Sequence, residues 1–162
     1  MIYLLSEEIQ SGKTTSLQLC TENRYDIGGF LSPDKNGLRC LMNLSSKKEV
    51  PFEIDLTSFE GPIEIIGKFA ISTDAFAAGH QWVKEHLQSP QIKFIIIDEV
   101  GLLELKDKGF ADCLRYAKDN LGDKHLIVVL RNSVREEAVK HFGLEDATEL
   151  TKNGIDALLA SK

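Results

Sequence analysis

Two short stretches of this chain carry side chains whose chemistry is complementary. The first is Ser6-Glu7-Glu8-Ile9-Gln10-Ser11-Gly12-Lys13-Thr14-Thr15. Its second half, Gly12-Lys13-Thr14, opens a segment with helical character. The free N–H groups and the positive dipole end of a helix N-terminus attract an anion. Gly12 lets the backbone approach phosphate oxygens, Lys13 reaches the β and γ oxygens, and the Thr14 hydroxyl holds Mg²⁺. A lysine in a first helical turn opposes the dipole, and a bound phosphate removes that conflict. Gln10, Ser11, Gly12, Lys13, Thr14 and Thr15 are therefore the expected nucleotide-binding residues. The second stretch is Phe94-Ile95-Ile96-Ile97-Asp98-Glu99, an apolar strand ending in two acids. Asp98 is expected with Thr14 in the metal shell, and Glu99 as the base that polarises a water. Arg131 follows a second apolar strand and is placed to meet γ-phosphate charge, with Arg135 one helical turn further on.

The first half of the loop departs from G-x-x-x-x-G-K-[ST]. Glu7 stands at the first glycine position and Gln10 at the fourth. A non-glycine residue where φ must be positive costs about 1–2 kcal/mol, and Glu7 and Glu8 add negative charge beside a phosphate site.

These residues must be held by elements, and the hydrophobic pattern supplies them. Ile2 to Leu5 reads as a buried strand, and Lys13 to Thr21 as a helix. Gly29 to about Phe69 reads as an antiparallel β insertion, with a hairpin around Pro33–Gly37 and short strands near Phe52–Ile54 and Ile63–Ile66. Thr73 to Leu87 reads as a helix capped by Thr73 or Asp74, and its Phe76 and Trp82 fit core packing better than base stacking. Ile92 to Ile97, apart from Lys93, and Leu126 to Leu130 are apolar on both faces, as central parallel strands should be. Helices are expected at Phe110–Asn120, at Ser133–His141 with Ser133 as cap, and at Gly154–Ala160, with a last strand near Ala147–Leu150. Strands alternating with helices imply a parallel sheet covered on both faces, with ligands at the carboxyl ends of the strands. Those ends fall after Leu5, Ile97 and Leu130.

The 162 residues are expected to form one domain with a sizeable core. A net charge of -6 makes nucleic acid a poor partner. The 3 cysteines form no CxxC pair, and the 4 histidines show no zinc spacing. An odd cysteine count without a signal peptide points to a reducing, cytoplasmic setting, and no apolar run approaches a membrane span. No Arg-rich lid segment accompanies the loop, against a small-molecule kinase.

The chain resembles the THEP1-type nucleoside triphosphatases over at least Ile2 to Arg131. Four blocks carry the resemblance: Ser11-Gly12-Lys13-Thr14-Thr15; Gly29-Phe30-Leu31-Ser32 followed by Gly37-Leu38-Arg39; Ile66-Gly67-Lys68-Phe69; and Asp98-Glu99-Val100-Gly101-Leu102-Leu103-Glu104-Leu105. The last looks like that family's D-E-[IV]-G-x-x-E-L signature. The resemblance implies a RecA-like P-loop fold, a three-layer α/β sandwich with a β insertion. It also implies slow Mg²⁺-dependent hydrolysis of ATP, GTP and other triphosphates. Lys68 and Glu104 fall in signature blocks, Glu104 equally as a cap for the next helix. The family carries a glycine-rich loop where this chain has Glu7 to Gln10, and commonly a basic residue at the position of Leu102. The competing expectation is a nucleotide-binding or protein-interaction module without turnover.

Overall fold

The computed structural model describes residues 1–6 and 12–161. The expectations on Glu7, Gln10 and Ser11 lie outside the described residues. In chain order the elements are β1 (Ile2–Leu5), α1 (Lys13–Thr21), β2 (Ile27–Leu31), β3 (Asp34–Lys35), β4 (Leu38–Asn43), β5 (Glu49–Pro51), β6 (Ile63–Ile66) and β7 (Phe69–Ser72). They continue with α2 (Thr73–Gln88), β8 (Phe94–Val100), α3 (Ala111–Asp119), β9 (His125–Leu130), α4 (Arg135–Phe142), β10 (Thr148–Leu150) and α5 (Ile155–Ala160).

The main sheet runs β10-β1-β9-β8-β2-β4-β3, with β5 also paired to β4. From β10 to β2 every neighbouring pair is parallel, and from β2 outward the pairing is antiparallel. Residues alternate along the central strands between two cores. Ile95 and Ile97 of β8 join Trp82 and Val83 of α2, Leu114 of α3 and Ala138 of α4 on one face. Phe94 and Ile96 join Leu17 of α1 and Leu159 of α5 on the other. This is the expected three-layer sandwich with a mainly parallel sheet. Among the described residues no helix is long and apolar enough to cross a membrane.

The segment read as an insertion is built differently. β2 belongs to the parallel sheet, with Gly28 beside Ile95 and Phe30 beside Ile97 of β8. Only β3, β4 and β5 form an antiparallel extension, and β6 and β7 make a separate hairpin. Gly29 was expected to open the insertion, but Gly28 and Gly29 are residues of β2, pressed between two neighbours. A Cβ at Gly29, whose φ is +88°, would lie 1.9 Å from the Ile96 carbonyl oxygen, and one at Gly28 would lie 2.6 Å from the His86 side chain. His86 of α2 is itself buried and accepts the Gly29 N–H through Nδ1 at 2.8 Å. Burial holds this imidazole below its ordinary pKa, in the neutral form that can accept.

Two caps differ from expectation. Ser72, not Thr73 or Asp74, is the residue before α2. Ser133 sits inside a 3₁₀ turn, Asn132–Val134, and α4 starts only at Arg135. Trp82 is buried, and Phe76 meets Phe110 and Phe52 edge-on, so both pack in the core.

Gly29→Ala is expected to lower stability by at least about 2 kcal/mol, combining positive-φ strain with a backbone clash. Gly37→Ala, at φ +83° but with nothing within 4 Å of the new Cβ, keeps only the strain. Urea denaturation of both variants measures the difference. The unfolded chain protonates its histidine first, so the stability that neutral His86 contributes is full above about pH 6.5 and is lost as pH falls toward its lower folded value. The gap in urea midpoint between wild type and His86→Gln should therefore narrow between pH 7.5 and 5.

Candidate functional site

Among the described residues, Lys13, Thr14, Asp98, Glu99 and Arg131 converge at the carboxyl edge of the sheet. Gly12 precedes α1 at φ +82°, ψ +25°, a left-handed conformation that glycine adopts without cost. With the chain turned this way, Lys13 and Thr14 open the helix toward the strand ends. Lys13 is 7% exposed. The Thr14 hydroxyl donates to Asp98 Oδ2 at 2.9 Å, joining the helix start to the end of β8 across 84 positions of sequence. Thr15, on the next position of α1, is exposed.

The end of β8 is irregular. Asp98 pairs with Val129 and Val100 with Leu130, so Glu99 is an extra residue in the ladder. The Asp98–Glu99 peptide is cis. A bulge re-aims a side chain, and the two acids do face different surroundings. Asp98 is fully buried, and its Oδ2 accepts the Thr14 hydroxyl and the Ser32 N–H at 3.0 Å. Glu99 is partly exposed and lies between two cations, with Lys13 Nζ at 3.9 Å from Oε2 and Arg131 Nε at 3.4 Å from Oε1. Arg131 follows β9, the strand between β1 and β8, which is why it reaches this point. Arg135 instead pairs with Glu149 at the surface.

Burial raises the Asp98 carboxyl above the usual range. The Ser32 N–H, Arg39 and Thr14 oppose that effect, and Glu99 adds to it. Asp98 Oδ1 is buried with no hydrogen-bond partner among the described residues. An oxygen in this condition fits a hard cation, which would offset the desolvation. Mg²⁺ takes few protein ligands and completes its shell with waters and substrate phosphates. One carboxylate beside one hydroxyl is therefore a fitting donor set, although no cluster of three acidic, His or Cys ligands occurs among the described residues.

Glu104 has a defined place. It is 4% exposed, accepts the Gly101 N–H at 2.8 Å through one oxygen and the Phe110 N–H at 3.0 Å through the other, and so closes the loop from β8 to α3. Burial raises its pKa, against the pull of these N–H groups. The reading of Glu104 as a helix cap is thus close to its observed role. Lys68 lies in the β6–β7 turn with its ammonium 5.3 Å from the Phe69 ring centroid. Leu102, where a basic residue was expected, is 54% exposed. Sequence reasoning assigned no role to Ser32 or Arg39. The available signal was that the carboxyl end of a parallel strand carries ligands, a rule that reaches Ser32 once β2 is placed in the sheet.

A glycine-led helix after the first strand, with an acid-bearing strand two positions away across β9, defines the P-loop NTPase class of α/β proteins. The chain belongs to the NTPase family, whose model matches residues 3–160. THEP1 from the hyperthermophile Aquifex aeolicus, a crystal structure, is similar in fold, with a TM-score of 0.71 at 20% identity, covering 99% of this chain and 96% of that one. The solution structure of a human cancer-related nucleoside triphosphatase is similar with a TM-score of 0.66 at 18% identity, covering 98% and 93% respectively. No curated protein sequence matches.

Glu104→Gln replaces one acceptor oxygen with a donor facing a backbone N–H. It should destabilise the protein by about 1–3 kcal/mol, read as a lowered urea midpoint at unchanged m-value.

Proposed function

We propose that this protein hydrolyses nucleoside triphosphates such as ATP and GTP to diphosphate and phosphate with Mg²⁺, slowly. The observation that carries the reading is the Thr14–Asp98 hydrogen bond, with Lys13 and Arg131 on either side of Glu99. The closeness of these side chains supports reading them as the phosphate-binding, metal-binding and water-activating groups of one site. Membership of the NTPase family supports the reaction class.

In this reading the first turn of α1 receives the phosphates. Lys13 neutralises charge on the β and γ oxygens. Thr14 and Asp98 hold Mg²⁺, which supplies Lewis-acid stabilisation of the phosphate oxygens when bound. Glu99 orients a water toward the γ-phosphorus. The water oxygen bonds to phosphorus as the bond to the β–γ bridging oxygen breaks, the diphosphate keeps that electron pair, and Glu99 takes the water proton. Arg131 faces the charge spread over the transferred group. Lys13 and Arg131 flank Glu99, so they also hold its carboxylate in place until the phosphate engages them.

One feature favours a second reading, a nucleotide-binding module without turnover: Glu7 and Gln10 stand where the loop pattern prefers glycine or a small residue. Phosphate release from ATP and GTP with Mg²⁺ separates the two. Wild type should turn over, and Lys13→Ala and Glu99→Gln should each lose about a hundredfold or more. Wild type that binds triphosphate without releasing phosphate, or variants that match it, would leave the binding module as the function.

A further inference from the structure

A second arginine reaches the metal-binding acid through an intermediary. Ser32, the residue after β2, is 3% exposed. Its N–H donates to Asp98 Oδ2 at 3.0 Å, and its Oγ lies 3.2 Å from the Asp98 carbonyl oxygen and 3.4 Å from Oδ2. Arg39, on β4 of the antiparallel extension, donates from Nη2 to Ser32 Oγ and from Nε to the Ser32 carbonyl at 3.3 Å. Glu53 Oε1, 3.8 Å from Nε, and the Phe52 ring, 5.6 Å from Cζ, hold the guanidinium from the other side.

The donor inventory gives this chain of contacts a direction. A guanidinium only donates, whereas a hydroxyl has one proton and two lone pairs. With Arg39 donating into Ser32 Oγ, the hydroxyl proton must leave along another line, and the acceptors within reach there belong to Asp98. Oδ2 is engaged by Thr14 Oγ1 and the Ser32 N–H, and the single Ser32 hydroxyl proton is shared between the Asp98 carbonyl oxygen at 3.2 Å and Oδ2 at 3.4 Å, while Oδ1 has no partner among the described residues. The carboxylate is fixed in rotation with one oxygen committed to the protein and the other left over.

We propose that Arg39 is a positioning residue: acting through Ser32, it fixes the Asp98 carboxylate in the orientation that takes the divalent cation, and so ties the antiparallel extension to the site. The inference rests on the reading of Asp98 as a metal ligand.

The test uses the full chain with Mn²⁺ as probe, titrated by electron paramagnetic resonance in the presence of a non-hydrolysable triphosphate analogue. Phosphate release is followed in parallel as a function of free Mg²⁺. Ser32→Ala and Arg39→Ala should each weaken Mn²⁺ binding about fivefold, the scale of one hydrogen bond. The KM for triphosphate at saturating metal should stay near wild type. The double variant should be no weaker than the weaker single, because both substitutions break the same line of contacts. Arg39→Lys should restore only part of the affinity, since an ammonium cannot span Ser32 Oγ and carbonyl together. Arg135→Ala, away from the site, should bind Mn²⁺ like wild type. Wild-type affinity in folded Arg39→Ala, or additive losses in the double variant, overturns the proposal. If Arg39→Ala fails to fold, Ser32→Ala and Arg39→Lys decide it, and wild-type affinity in both overturns it. Should the wild-type protein bind no Mn²⁺ with the analogue, the metal-dependent function falls as well. Wild type that binds and hydrolyses, beside unchanged variants, removes only the role of Arg39.

Discussion

The buried carboxylate of Asp98 is the constraint on which the site depends. Carrying a carboxylate into a protein interior is unfavourable unless hydrogen bonds or charge compensate it. Here the compensation comes from three elements at once: the Thr14 hydroxyl from the start of α1, the Ser32 N–H and hydroxyl from the end of β2, and Arg39 from β4. Each contributing element is thereby fixed relative to β8. The arrangement makes the acid a structural node of the fold, the group to which a metal role is proposed.

Glu99 shows the complementary solution. One residue along the same strand, a register irregularity turns it out of the ladder to a partly exposed position between Lys13 and Arg131. Two adjacent carboxylates thus differ in burial, partners and access to water. That difference underlies their proposed division of labour, one toward metal and one toward the attacking water. Glu104 supports the arrangement from behind by tying Gly101 to the start of α3, which fixes how the chain leaves the sheet.

Much of this was legible in the sequence where a single physical rule acted alone. The apolar runs at Ile2–Leu5 and Leu126–Leu130 marked buried strands, and Gly12-Lys13-Thr14 marked a helix start. Legibility failed where two requirements overlapped. The glycine pair Gly28-Gly29 has no apolar side chain to mark a buried strand, yet it fits because β2 is squeezed between the Ile96 backbone and His86. Taking that stretch for an insertion hid the carboxyl end of β2, so Ser32 and Arg39, though part of a signature block, were given no role. The bulge at Glu99 was illegible for another reason: it is a relation between strands, and no local pattern encodes it.

The placement of β9 between β1 and β8 has a consequence for how the protein is made. Thr14 opens the helix that follows β1 and Asp98 ends β8; β1 and β8 do not pair, and the strand that fills the gap between them is synthesised after both. Until residues 125–130 leave the ribosome, the chain can hold the phosphate loop and the acids but not their spacing. Such long-range parallel pairing is also the slow kind, because loop closure precedes the contacts that reward it. A chain that ends before β9 therefore lacks the strand that sets the distance between β1 and β8. The spacing of the two strand ends is thus set only when the last of the central strands, β9, is in place, with β10 still to be added at the edge beside β1.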